Sequence, residues 1–169
     1  MHLSKNETVE EVNRVFTRAR ECLLTYPEEK INGCPPTGGW TIGQVAEHII
    51  ICSDGIPDRQ TTEADRPFYQ FEDQLKHMFL DVTQKYEAAP TLYPTKGKYE
   101  LEQLEDALER NRLRLIQKAE STDLKALCVD MEFPTFGLLT RYEWIRFICF
   151  HTERHLWQIR KIGHALAST

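Results

Sequence analysis

The sequence predicts an all-α fold: a four-helix bundle with an additional short helix or irregular insertion between the second and third long helices. Four long stretches space their apolar residues three and four apart, the period of an amphipathic helix. Three of them open with Thr followed three residues later by Glu or Gln. In that capping box each side chain bonds the other residue's backbone N–H. Strand-like alternation of useful length, internal repeats and low-complexity segments are all missing. Helices of this kind bury their apolar stripes against one another.

The first helix is expected over residues 8–26. Thr8 and Glu11 form its capping box, and Val9, Val12, Phe16, Ala19 and Leu23 follow at helical spacing. Tyr26-Pro27 ends it, because the residue before a proline resists the α conformation. Residues 27–40 read as a loop punctuated by Pro35-Pro36 and Gly38-Gly39. The second helix starts at Thr41, boxed with Gln44, with Trp40 placed to staple onto Val45, and runs to about Ser53. Its buried stripe is Ile42, Val45, Ile49 and Cys52, and His48 stands at the edge of that stripe.

Residues 54–66 read as an exposed loop and 68–80 as a short helix marked by Phe68, Phe71, Leu75 and Phe79, with His77 facing solvent. Residues 81–97, with Pro90, Pro94 and Gly97, read as irregular or as beginning with a helical tail. The third long helix spans 98–120, with Leu101, Leu104, Leu108, Leu115 and Ala119 inward. Its charged pairs Glu105–Glu109 and Arg110–Arg114 make a solvated face. After a loop over 121–139, Thr140 and Glu143 form the third capping box, and Leu139 can staple onto Trp144. This last helix carries His164 near its end, where a cation suits the helix dipole.

Composition narrows the function classes. A chain of 169 residues with 41% hydrophobic and 28% charged residues forms one globular domain with a proper core. A net charge of −5 without any basic block argues against nucleic acid as a partner. Five scattered cysteines, odd in number and without CxxC, suit a reducing compartment. Neither a signal peptide nor a membrane-length apolar run is legible, so the expectation is a cytoplasmic protein.

The last helix holds the chemistry. His151 and His155, four apart, stack on one face about one turn apart, within roughly 60° of Trp144, Ile148, Gln158 and Ile162. Two imidazoles on an apolar stripe need partners. Either they are core histidines satisfied by hydrogen bonds, or they share a cation, for which neutral imidazole is a common ligand. His48, carried toward the core by the second helix, is the natural third ligand. Three imidazoles hold a zinc-like ion and leave positions open for water or substrate. Glu153 lies about 200° around the helix from His151, unlike the glutamate of HExxH, so a zincin-type peptidase is disfavoured. Gln44, Cys52 and Gln158 are plausible neighbours of the ion, whereas Cys149, about 160° from His151, reads as structural.

Two motifs resemble the DinB-like (DinB/YfiT) superfamily. Trp40-Thr41-Ile-Gly-Gln-Val-Ala-Glu-His48 is similar to the family's W-[ST]-x-x-[EQ]-x-x-x-H opening of the second helix. His151-Thr-Glu-Arg-His155-Leu-Trp-Gln158-Ile159 is similar to its closing H-x-x-x-H-x-x-Q-[IL]. The resemblance implies a four-helix bundle of the DinB/YfiT type, often a homodimer, with a divalent metal on His48, His151 and His155. Three histidines suit zinc, nickel, iron or copper, with zinc or nickel foremost. It further implies a small-molecule substrate or thiol: relatives include thiol S-transferases using bacillithiol, mycothiol or glutathione, and others are described as metal-dependent hydrolases. The expectation is therefore thiol S-transfer ahead of hydrolysis, with a non-catalytic stress-related binding module as the rival. The segment 54–97 is longer than a minimal bundle needs.

Overall fold

Four helices pack side by side and a fifth leans on the outside of the last. The computed structural model describes residues 2–168. Helix α1 (Lys5–Leu24) is followed by a single turn, α2 (Glu28–Ile31), then α3 (Ile42–Cys52), α4 (Glu72–Leu80), α5 (Leu101–Ser121) and α6 (Arg141–Ala167). Around the bundle, α1 lies between α5 and α6, and α3 closes the opposite side between the same two. Among the described residues, no helix is long and apolar enough to cross a membrane.

The capping boxes at Thr41–Gln44 and Thr140–Glu143 form as the sequence predicts. The first helix differs. It begins one turn earlier, and its box is Ser4 with Glu7, not Thr8 with Glu11. Both serine and threonine accept from N3, so two overlapping patterns compete and burial decides. Thr8 is wholly buried and its hydroxyl donates back to the Ser4 carbonyl at 2.8 Å, while Ser4 sits at the solvated edge. α5 starts at Leu101 without a side-chain cap.

The expected loops contain small regular pieces. Residues 27–40 include the α2 turn, and two short strands, β1 (Thr61–Thr62) and β2 (Leu127–Cys128), pair antiparallel with Thr61 opposite Cys128. This ribbon ties the α3–α4 connection to the α5–α6 connection.

The main core runs through the bundle axis. Val12, Phe16 and Leu23 of α1 meet Ile42, Val45 and Ile49 of α3, Leu108 and Leu115 of α5, and Ile145, Ile148 and Ile159 of α6. The periodic stripe of α5 is interrupted by Asn111, which is buried because its amide donates to the Ile50 carbonyl (2.9 Å) and to Ser53 Oγ (3.0 Å). It thereby satisfies the last turn of α3, whose carbonyls lack helical partners. A second cluster, Leu75, Cys128, Phe133, Leu139, Trp144 and Phe150, lies between α4, the loops and the outer face of α6. Because α6 has neighbours on both sides, its first half is buried all round rather than along one stripe.

Buried charge locks the start of α6. Glu143 is fully buried and accepts two bonds from Arg66 (2.9 and 2.8 Å) and one from the Phe71 N–H (2.8 Å). Glu72 accepts from Arg146 Nε and from the Tyr142 hydroxyl, both at 2.8 Å. The outer face of α5 is less solvated than its charge pattern implies. Arg20 of α1 reaches Glu109 at 3.1 Å, and Arg112 reaches Asn13 at 2.6 Å.

Candidate metal centre

His48, His151 and His155 converge at one point between α3 and α6. His48 Nε2 and His155 Nε2 each lie 3.1 Å from His151 Nε2. His48 is 2% exposed and His151 7% exposed, and His155 is half-buried, so the cluster opens to solvent on the His155 side. The Thr41–Gln44 box sets where α3 starts, and thereby the rotation that brings His48 inward. On α6 the four-residue spacing stacks the other two rings, with centroids 4.4 Å apart.

The hydrogen bonds on the far side of the rings settle their chemistry. His48 Nδ1 is 2.8 Å from the Leu92 carbonyl oxygen, which only accepts, so Nδ1 carries the proton and Nε2 is bare. His155 Nδ1 donates to Gln158 Oε1 at 2.7 Å, which leaves its Nε2 bare as well. Two bare nitrogens thus face His151 Nε2. That nitrogen holds at most one proton and hydrogen-bonds only one of them well. At least one buried pair is left lone pair against lone pair, an arrangement costly without a cation.

The donor set fits such a cation. Imidazole nitrogens bound to a common zinc-like ion at about 2.0–2.1 Å, spread tetrahedrally, stand about 3.3 Å apart, close to the 3.1 Å that separates His151 Nε2 from each of the other two. The three ligand atoms lie within 4.8 Å of one another. Burial pushes His48 below the ordinary imidazole range, against the pull of the Leu92 bond. It pushes His151 well below that range, helped by the two neighbouring histidines and Arg154. It takes His155 down to about 4. All three rings are therefore neutral at pH 7, the form that binds metal.

Aromatic side chains enclose the rings. Trp40 packs 5.2 Å from His48, and Phe79 and Phe147 lie 5.8 and 5.4 Å from His151. Tyr93 stands edge-on to Trp40 at 5.8 Å.

The other residues singled out from the sequence divide. Gln158 is an immediate neighbour, through His155. Gln44 spends its carbonyl on the N–H of Thr41 in the capping box and contributes nothing to the centre. Cys52 Sγ is 3.8 Å from both nitrogens of His48, which puts sulfur against the flank of the ring rather than beyond Nε2. Burial pushes its thiol up to about 12. Glu153 points away, paired with Arg18 of α1 at 2.7 Å, and Cys149 is buried in the main core. His77 and His164 are exposed. The Leu92 carbonyl carries no signal in the sequence, because its role depends on where an irregular segment comes to rest.

Comparison with known proteins agrees with this architecture. A sequence model of the DinB superfamily matches residues 11–159. YuaE of Bacillus subtilis (strain 168), an uncharacterized protein, is 28% identical over 156 residues, covering 88% of this chain and 94% of that one. Among solved structures, YfiT from Bacillus subtilis superposes with a TM-score of 0.60 at 12% identity, over 96% of this chain and 87% of that one. YfiT is described as a probable metal-dependent hydrolase with an unusual four-helix bundle topology. The three histidines of this chain form a ligand set able to hold a divalent metal. With most of its length matched by the family's sequence pattern, the chain belongs to the DinB superfamily.

Proposed function

We propose that the protein is a metal-dependent thiol S-transferase whose centre is His48, His151 and His155. The observation that carries the metal is the convergence of three Nε2 atoms, two of them stripped of protons by bonds on the opposite ring nitrogen. A divalent transition metal there, zinc or nickel, would supply Lewis acidity and lower the pKa of a small-molecule thiol presented to it. The rings of Trp40, Phe79 and Phe147 limit water around the histidines, and the half-buried side at His155 admits the substrate. The thiol proton leaves to solvent, sulfur bonds to the electrophile and the leaving group departs.

Among the described residues, no carboxylate joins the cluster. Activation of water gains from a positioned general base, which such a group would supply. A thiol, with an ordinary pKa of about 8.5, needs only a modest shift to ionise at neutral pH. That difference favours thiol transfer. Hydrolysis is the second reading, favoured by the description of YfiT. The same proposal has the protein acting as a cytoplasmic homodimer on small molecules, without nucleic acid or membrane as partner.

The test is metal analysis of the purified protein, then conjugation assays with bacillithiol, glutathione and simple thiols against an electrophile, after zinc or nickel reconstitution. His151→Ala is expected to abolish metal binding and conjugation, and Cys52→Ser to leave conjugation nearly intact. Hydrolysis of an ester or amide without conjugation would replace this reading with the hydrolase. Tight metal binding with neither activity would replace both with a binding module.

A further inference from the structure

The residue before His48 and the residue before His155 both hold the same irregular segment. Arg154 donates to the carbonyls of Phe79 (3.3 Å), Asp81 (2.8 Å) and Gln84, and its guanidinium lies over the Tyr86 ring. Glu47 accepts from the N–H groups of Thr95 (2.9 Å) and Lys96 (3.2 Å), from the Thr95 hydroxyl (3.0 Å) and from the Tyr99 hydroxyl (2.5 Å). Residues 81–99 therefore pass from α6 to α3 as a strap with a latch at each end. Between the latches, the turn Pro90–Leu92 delivers the carbonyl that bonds His48 Nδ1.

None of residues 82–98 is buried. The strap's ring contacts are made by exposed tyrosines, Tyr93 against Trp40 and Tyr86 near Phe79, and its position depends chiefly on the polar contacts at its ends. Tyr99 is the firm end. Its backbone is bonded on both sides by the Asn32 amide, and its ring lies on Gly43, where a side chain would collide with it. Glu47, one turn along α3 from Gly43, extends that anchorage back to Thr95, three residues from Leu92.

We propose that Glu47 is a positioning residue for the metal centre: by latching Thr95 and Lys96 it keeps the Leu92 carbonyl on His48 Nδ1, and so keeps His48 Nε2 bare and aimed at the other two imidazoles. The role as a metal centre rests on the function proposed above; the control of the His48 tautomer does not. Partners that orient a ligand in this way commonly change metal affinity by about 10–100-fold. Because the Leu92 bond requires the same tautomer as ligation through Nε2, metal binding and closure of the strap reinforce one another.

The experiment compares wild type, Glu47→Ala and Glu47→Gln. Glutamine keeps an acceptor for the two N–H groups and turns its amide toward the Thr95 hydroxyl. In metal-free protein, amide exchange at 92–96 and the ¹⁵N signals of the His48 ring are measured. Zinc affinity is then measured by chelator competition. Glu47→Ala is expected to speed exchange across 92–96, replace the single Nδ1–H form of His48 by a mixture, and weaken zinc binding about 10–100-fold. Glu47→Gln is expected to restore all three.

Faster exchange with the His48 tautomer unchanged overturns the proposal, whatever happens to zinc. A changed tautomer with unchanged zinc affinity overturns its link to the centre. Wild type that binds no zinc sinks the metal reading, and the ring signals of the metal-free protein still decide whether Glu47 positions His48. Should Glu47→Ala fail to fold by circular dichroism, Thr95→Val, which removes one latch bond, is expected to move the same readouts in the same direction by less. No movement there overturns the proposal.

Discussion

Gln158 Oε1 accepts the Nδ1 proton of His155 at 2.7 Å, and that bond decides which nitrogen of His155 faces His151. Replacing Gln158 with Leu removes the acceptor while keeping a similar volume. Zinc affinity is expected to fall about 10-fold, the lower end of the range for partners of metal-bound histidines, because Gln158 lies at the half-buried side where water can substitute. Chelator competition measures it, and unchanged affinity would show that His155 is oriented by packing alone.

Metal is expected to stabilise the fold. The three ligands join α3 to α6, so a cation that binds only the folded arrangement adds its binding free energy to stability. At a free concentration of about 100 times Kd this is about 2.7 kcal/mol, an increase of about 5–10 °C in the unfolding midpoint for a chain of this size. Thermal scans with zinc and after chelation check it, with His151→Ala expected to abolish the difference.

Metal-free protein is expected to lose stability on mild acidification. His155 titrates at about 4 in the fold, and His48 and His151 are also lowered, all chiefly by burial. The unfolded chain therefore binds these protons first. The stability from keeping the rings neutral is fully present above about pH 6.5 and is lost as pH falls from there towards 4. Denaturation midpoints at pH 7 and pH 5 should show the loss, and His155→Asn should lessen it by removing one of the three contributions. A flat wild-type profile would contradict the burial assigned to the three rings.

The start of α6 is expected to be the most sensitive charged site. Glu143→Ala leaves Arg66 without its bidentate partner and deletes half of a capping box. Breaking a buried pair by removing one partner costs about 3–5 kcal/mol. Arg66 retains a little solvent access and the Leu138 carbonyl, so a value near 3 kcal/mol is expected from chemical denaturation. A cost below about 1 kcal/mol would place this pair with ordinary surface ion pairs.

Thr41→Ala tests the cap that starts the helix of His48. It is expected to cost about 1 kcal/mol and to weaken metal binding by loosening that turn. Loss of neither stability nor affinity would mean that packing alone fixes the start of α3.

The four bundle helices and the stacking of His151 over His155 were legible in the sequence because both depend on local geometry. A spacing of four residues on a helix stacks His151 over His155 wherever that helix is placed, and Thr41 with Gln44 marks the start of α3 whatever surrounds it. Even local signals failed where two competed: Ser4 and Thr8 both fit a capping box, and only the burial of Thr8 chooses between them. Tertiary structure alone decided which nitrogen of His48 faces inward. His48 and His151 are 103 residues apart, and the carbonyl that fixes the His48 tautomer belongs to a strap without periodicity, caps or buried residues of its own between 82 and 98. Such a segment has no internal pattern to read, since its position is set by the side chains of Glu47 and Arg154 on the helices it crosses.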